Sequence, residues 1–124
     1  MPSRSTTTTA AKRAERPRPQ DDGADLARMR RPPTHPGEMF EEEYRKPSGI
    51  SQAEAARRMG MSTNRLNEIV AGKRSVTAET AVLFGALSGT DPRLWLSLQV
   101  DYDLWHALRI VDTSNIRQVQ TDRA

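Results

Sequence analysis

The sequence of 124 residues contains no cysteine, which excludes disulfide bonds and any site that depends on a thiolate. Aromatic residues make up only 5% of the chain and hydrophobic residues 35%, so the chain can build one small core. No apolar run approaches the roughly 20 residues of a membrane-spanning helix, and no secretory signal is recognisable. We therefore expect a cytoplasmic protein without membrane association.

A catalytic constellation is also missing from the sequence. There is no glycine-rich phosphate loop, and no nucleophile lies beside a base. The two histidines, His35 and His106, lie far apart in sequence, and the chain has no cysteine that could act as a further metal ligand. They are therefore a poor candidate for a metal site. Each is better explained as a structural or solvated residue. We predict that the protein is not an enzyme and that it has no metal and no cofactor.

The stretch from Ser51 to Arg74, SQAEAARRMGMSTNRLNEIVAGKR, predicts two short helices joined by a tight turn. Ser51 followed by Glu54 has the pattern of a capping box, and Gly60 suits a turn residue with positive φ. Ser62 can cap the second helix, whose apolar residues recur at i, i+3 and i+4: Leu66, Ile69 and Val70. The pattern predicts a helix-turn-helix. The alternative is an ordinary helical hairpin in a structural bundle.

The second helix of this motif has a polar face opposite its apolar residues. At about 100° per residue, that face consists of Thr63, Asn64, Asn67 and Glu68. Such side chains read bases in the major groove, since Asn pairs with adenine at two points and Glu accepts from cytosine. We predict that these four residues contact bases, and the alternative is a solvated polar face. Four further residues are predicted to contact DNA phosphates: Ser62, Arg65, Lys73 and Arg74.

The rest of the chain predicts three more helices between two polar ends. Residues 1–33 hold eight Lys or Arg against four Asp or Glu, with five prolines, and predict a disordered basic arm. Such an arm either contacts DNA phosphates or orders on a partner, or is a solvated tail without a role. Residues 34–111 predict an all-α domain of five helices, in which the first ends at Pro47 and Gly49. Residues 112–124 predict a flexible tail.

Two surfaces of the predicted domain suggest protein partners. The last helix is more apolar than a small bundle needs, which predicts a homodimer interface at Trp95, Leu98, Tyr102, Trp105 and Leu108. The alternative is that a monomer packs all of these residues. On the first helix, Glu38, Glu41 and Glu42 would share one face at i, i+3 and i+4. This acidic face predicts docking of a basic partner, unless it only stabilises the helix through its dipole.

Three segments resemble the antitoxins of the HigA type, a branch of the Cro/cI-like helix-turn-helix repressors: HPGEMFEEE, GISQAEAARRMGMSTNRLNEIVAGKRSVTAETA and DPRLWLSLQVDYDLWHA. The resemblance covers roughly residues 33–108. It implies a five-helix Cro/cI-like (lambda-repressor-like) domain, usually dimeric, that binds double-stranded operator DNA in the promoter of its own operon. It also implies a HigB-type toxin, a small basic ribonuclease that cleaves messenger RNA and is neutralised by direct binding. By position, Gln52 matches a phosphate contact of the wider repressor family.

The resemblance and the residues together predict an antitoxin that also represses its own operon. A stand-alone Cro/cI-like repressor without a toxin is the first alternative. An interaction module whose helix-turn-helix has lost DNA binding is a more remote one. The long basic arm is not part of the compact family pattern, so the route of toxin contact stays open.

Overall fold

The computed structural model describes residues 25–121, and the chain divides after Arg30 into two compact units. In the first unit, residues 25–28 form a helical turn in which Arg28 and Asp25 approach to 3.8 Å. This turn lies in the segment that was predicted to be a disordered arm. The first 24 residues of that arm and the last three of the tail lie outside the described residues. The domain boundaries at residues 33 and 111 stay predictions.

Residues 31–121 form five helices and, in this described part of the chain, no strand. The first helix, α1, covers residues 36–48 and consists of an α-helical segment Pro36–Phe40, a π-helical segment Glu41–Arg45 and an α-helical end Lys46–Ser48. The others are α2 (Gln52–Met59), α3 (Thr63–Val70), α4 (Ala78–Ser88) and α5 (Pro92–Ile110). The prediction of an all-α fold with five helices is confirmed. Residues 111–121 contain no helix and are exposed.

Side-chain caps begin α2 and α3 at the predicted positions. The Oγ of Ser51 accepts a hydrogen bond of 3.0 Å from the N–H of Glu54 at the start of α2. The Oγ of Ser62 accepts one of 3.0 Å from the N–H of Arg65 at the start of α3. Thr77 and Asp91 cap α4 and α5 in the same way. These bonds satisfy N–H groups that have no partner inside a helix.

The first helix continues through Pro47, where the sequence predicted its end. A proline lacks the N–H donor, and its ring crowds the carbonyl four residues earlier, so a regular α-helix would be interrupted here. Directly before Pro47 the helix widens into a π-helical turn, in which the N–H of Lys46 bonds to the carbonyl of Glu41, five residues earlier. The helix ends at Gly49, which has a φ of 82°.

Three aromatic rings form the centre of the core. The rings of Phe40 and Phe84 stack with their centroids 4.0 Å apart, and Trp95 meets Phe84 edge-on at 5.4 Å. The prediction that Trp95 lies in a dimer interface is wrong, because its side chain is fully buried in the core of one chain. Its Nε1 donates a hydrogen bond of 2.8 Å to Thr90. Smaller apolar side chains complete this core: Ala55, Ala56, Met59, Met61, Leu66, Ile69, Val76 and Ala81.

Candidate nucleic-acid interface

The turn between α2 and α3 sets the orientation of α3. Gly60 ends α2 with a φ of 72°, a backbone conformation that is costly for a residue with a Cβ. Met61 in the turn is buried, and Leu66 and Ile69 of α3 are fully buried. The apolar side of α3 is therefore fixed against the core, and its opposite side must face solvent.

The exposed side of α3 carries the predicted base-reading residues. Thr63, Asn64 and Asn67 are exposed, and Glu68 lies at the edge of the same face with 37% of its side chain exposed. The structure thus brings all four side chains to one surface. Their contact with bases stays a prediction.

Glu68 is bound to Arg74, another predicted DNA contact. Its Oε1 accepts hydrogen bonds from Nε of Arg74 at 3.0 Å and from Nη2 at 2.7 Å. This pairing across the end of α3 was not predicted from the sequence. It places a guanidinium and a carboxylate side by side at the rim of the polar face.

The loop after α3 is fastened to the last helix. The N–H of Val76 donates a hydrogen bond of 2.7 Å to Oε1 of Gln99, which is buried on α5. The amide of Gln99 is oriented in turn by Asp103, whose Oδ1 lies 2.9 Å from Nε2. Lys73 in this loop is exposed and forms no salt bridge with another described residue. The hydrogen bond to Gln99 therefore fixes the backbone of this loop, while the contact of Lys73 with a phosphate stays a prediction.

Arg65 turns away from the polar face toward α4. Its Nη2 donates a hydrogen bond of 3.2 Å to Thr80 and lies 3.6 Å from a carboxylate oxygen of Glu79. Its Nε is buried and has no hydrogen-bond partner among the described groups. Arg65 therefore braces α3 against α4, and its contact with a phosphate stays a prediction.

Glu41 joins the first helix to the start of the helix-turn-helix. Its carboxylate accepts hydrogen bonds from Nε of Arg45 at 2.9 Å and from Nε2 of Gln52 at 3.0 Å. Arg45 in turn donates to the carbonyl of Ile50 at 2.9 Å. The hydrogen bonds from Arg45 lower the pKa of Glu41, against the opposing effect of burial. Gln52 keeps a second amide hydrogen that could bind the predicted phosphate.

The position of Glu41 corrects the predicted toxin surface. Glu41 is only 7% exposed, so it is not part of an acidic docking face. The reason is helical spacing, since Glu41 follows buried Gly37 and Phe40 on the side of α1 that faces the core. Glu38 and Glu42 lie on the exposed side, where Glu42 pairs with Lys46 at 2.7 Å.

On α2, Glu54 binds two arginines instead of completing a capping box. Its carboxylate accepts hydrogen bonds from Nε of Arg57 at 2.9 Å and from Nε of Arg58 at 2.8 Å. These bonds lower the pKa of Glu54 to about 2. The capping box is thus half formed, because Ser51 caps the helix while the carboxylate turns toward the later residues.

His35 is the N-cap of α1 and is buried. Its Nδ1 accepts a hydrogen bond of 2.9 Å from the N–H of Gly37, and its ring meets Tyr102 edge-on at 4.8 Å. Burial lowers the pKa of His35, partly offset by the charges of Asp103 and Glu38. The neutral imidazole is the form that can accept this bond, so His35 has a structural role. Residues 25–121 bring no three potential metal ligands together.

The exposed apolar surface of α5 shares only Leu108 with the predicted dimer interface. Leu98 packs partly against the core, and Tyr102 contacts His35. Trp105 is only 9% exposed and carries the guanidinium of Arg109 at 3.7 Å from its ring centroid. The exposed large apolar residues of α5 are Val100 (59%), Leu104 (38%), Leu108 (45%) and Ile110 (78%), of which the first three are spaced four apart. Leu94, Leu98 and Tyr102 have the same spacing of four, so no signal in the sequence singled out this face.

None of the helices in the described part of the chain has the length and apolar character that a membrane crossing requires.

The helix-turn-helix family profile matches residues 42–92, which includes α2, α3 and α4. Virulence-associated protein I of Dichelobacter nodosus is 41% identical over 85 residues, covering 68% of this chain and 79% of that protein. Antitoxin HigA-1 of Vibrio cholerae is 32% identical over 80 residues, covering 64% of this chain and 75% of that protein.

The chain belongs to the HigA family of helix-turn-helix proteins. A solved structure of the Pseudomonas aeruginosa antitoxin HigA with the higBA promoter is similar to this HigA-family protein, with a TM-score of 0.60 and 34% identity. The match covers 62% of this chain and 84% of that one. The resemblance stated from the sequence is confirmed. So is the prediction that the chain is not an enzyme, because the family consists of DNA-binding regulators and antitoxins.

Proposed function

We propose that this HigA-family protein represses its own operon by binding operator DNA and neutralises a HigB-type toxin that cleaves messenger RNA. The observation that carries the first part is the exposed polar face of α3 at Thr63, Asn64 and Asn67. Lys73 and Gln52 lie on the flanking segments and supply donors for phosphates. The similar Pseudomonas aeruginosa HigA was solved with the higBA promoter, which supports binding of promoter DNA by this chain. Since its target is the cell's own DNA, we place the protein in the cytoplasm.

A mobility-shift titration at fixed salt tests the DNA-binding part. The full chain should bind the promoter region of its own gene more tightly than a scrambled duplex of equal length. A variant with Thr63, Asn64 and Asn67 all changed to Ala should lose this preference. Ser97→Ala, at an exposed position of α5, is the matched control and should bind as the wild type does. Equal affinity of the wild type for promoter and scrambled DNA would refute the proposal.

The same function requires a two-fold dimer, which we propose forms through Val100, Leu104 and Leu108. These side chains form an exposed apolar strip on α5, and exposed strips of this kind often mark protein interfaces. An isologous contact there would present two copies of α3 to DNA, which fits an operator when they lie about 34 Å apart. Light scattering at micromolar concentration should give a dimer for the wild type and a monomer for Leu104→Glu. Ser97→Glu controls for added charge, and a monomeric wild type contradicts the proposal.

For the toxin, we propose a docking surface at Glu38, Glu42 and Glu43, the exposed acidic residues of α1. A ribonuclease attracts RNA phosphates, so the face it uses should be basic, and opposite charges speed encounter. Reversing the charge of Glu38 and Glu42 should slow association with the toxin encoded beside this gene. Asp112→Lys, in the exposed tail, should have little effect. Unchanged association kinetics in the charge-reversed variant would rule this surface out.

Co-purification with the product of the adjacent gene separates the antitoxin from the stand-alone repressor. An antitoxin should retain a small basic protein through affinity and size-exclusion steps. It should also suppress the growth arrest that this neighbour causes when expressed alone. Promoter binding without such a neighbour would favour the stand-alone repressor.

A further inference from the structure

The middle of the polar face of α3 is occupied by two carboxamides. Asn64 and Asn67 lie about 60° apart around the helix axis, with Thr63 and Glu68 at the two edges. Both carboxamides are exposed. A carboxamide offers a donor and an acceptor side by side, which match N7 and the N6 amino group of adenine in the major groove. The methyl group of Thr63 suits the methyl group of thymine.

Guanine is most often read by a free arginine, which presents two donors to O6 and N7. The arginines of the motif are already engaged in this structure. Glu54 binds Arg57 and Arg58, Arg65 donates to Thr80, and Arg74 is held by Glu68. The side chains at the middle of the reading face are therefore amides and not guanidinium groups.

Arg74 lies at the rim of this face, and its pairing with Glu68 determines whether it can read a base. Both Nε and Nη2 of Arg74 bond to Oε1 of Glu68, so one edge of the guanidinium is occupied. In water an exposed pair of this kind is weak. Beside DNA, however, separation would leave the Glu68 carboxylate facing phosphates of like charge, which is strongly unfavourable. The pair should therefore enter the interface intact, with Nη1 of Arg74 left for a phosphate.

We propose that each operator half-site is read at A·T base pairs, by Asn64 and Asn67 on adenines and Thr63 on a thymine methyl group. In this scheme Glu68 is a positioning residue that keeps Arg74 on the DNA backbone and away from guanine. The proposal rests on the proposed function, because it uses the same face of α3. It adds the class of base that this face selects.

Selection of duplexes from a random library by the full chain tests the base preference. The bound pool should contain A·T pairs at the contacted positions of each half-site. Replacing those adenines by 7-deazaadenine removes the N7 acceptor and should weaken binding on the order of ten-fold. Replacing guanines of the selected site by 7-deazaguanine is the matched control and should leave wild-type binding unchanged.

The variant Glu68→Gln tests the positioning role. It removes the carboxylate that holds Arg74, so selection with this variant should gain a guanine in the half-site. That new site should be sensitive to 7-deazaguanine, and the double variant Glu68→Gln, Arg74→Ala should lose the gain. Glu54→Gln, which frees Arg57 and Arg58 on α2 instead, should keep the wild-type preference.

The outcomes distinguish this proposal from the proposed function. A wild-type site with guanine at the contacted positions, weakened by 7-deazaguanine, would overturn the A·T proposal and leave the repressor function intact. An unchanged preference in Glu68→Gln would overturn the role given to Glu68. If no sequence is enriched by the wild type, both the repressor function and this proposal fail.

Discussion

Gly37 of α1 lies directly against the backbone of Ile69 near the end of α3. A Cβ added to Gly37 would stand 1.9 Å from the carbonyl oxygen of Ile69 and 2.6 Å from its carbonyl carbon. This carbonyl group belongs to the backbone of a helix, so it cannot rotate away from an added Cβ. The first helix therefore supports the back of the proposed recognition helix at a distance that only glycine permits.

Gly37→Ala should for this reason destabilise the protein, although Ala is the better helix former. We expect a loss of about 1–3 kcal/mol, the usual cost of overpacking, measured by urea unfolding. Operator affinity should also fall after correction for the folded fraction, because α3 must shift. Gly60→Ala meets no atom within 4 Å and should cost only the strain of its positive φ, about 1–2 kcal/mol. Wild-type stability and affinity in Gly37→Ala would contradict this packing argument.

Removing the carboxylate of Glu41 should weaken the link between α1 and α2. Glu41→Ala leaves Arg45 and Gln52 without their shared acceptor, at an expected cost of about 1–3 kcal/mol. Glu42→Ala breaks an exposed pair with Lys46 and should change stability by only about 0–1 kcal/mol. Urea unfolding of both variants at pH 7 compares a buried carboxylate with an exposed neighbour. Equal losses would show that Glu41 acts merely as surface charge.

The stability of the protein should depend on the protonation of His35. Because burial lowers its pKa below 6.5, the unfolded chain binds the proton at a higher pH than the folded chain does. The contribution of His35 is therefore complete above pH 6.5 and is lost as the pH falls through the lower, folded-state pKa. Protonation also removes the Nδ1 acceptor that caps α1.

Urea unfolding at pH 7.5 and pH 5.5 measures this effect. His35→Asn is the matched control, since Asn can cap a helix but does not titrate. The wild type should lose more stability between the two pH values than this variant does. The same loss in both proteins would assign the pH dependence to other groups.

Asn64 and Lys73 should affect DNA binding in different ways. Asn64→Ala should cost about 1–3 kcal/mol on the operator and relax base preference there. Lys73→Ala should weaken binding to all sequences and reduce the slope of log affinity against log salt by about 1. Mobility-shift titrations at several salt concentrations, on operator and scrambled duplexes, separate the two effects. If both variants bind the operator as the wild type does, α3 is not the recognition helix.

Local order along the chain was readable from the sequence because it depends on residues one turn apart. Ser62 caps α3 through the N–H three residues later, and Gly60 ends α2 because a positive φ suits a residue without Cβ. The inward turn of Leu66 and Ile69 follows from helical spacing alone. The same spacing brings Thr63, Asn64 and Asn67 to the opposite, exposed side.

Tertiary structure decided which residues of each helix the core would cover. The sequence shows Glu41 as one of several acids and Trp95 as one of several apolar residues on α5. Only the packing of the helices buries both of them and leaves Val100 and Leu104 outside. Likewise, Gln52 meets Glu41 from eleven positions away, and Arg74 folds back on Glu68 across the end of α3. Burial and long-range pairing depend on the neighbours that folding brings into contact, and these are not encoded in the periodicity of one helix.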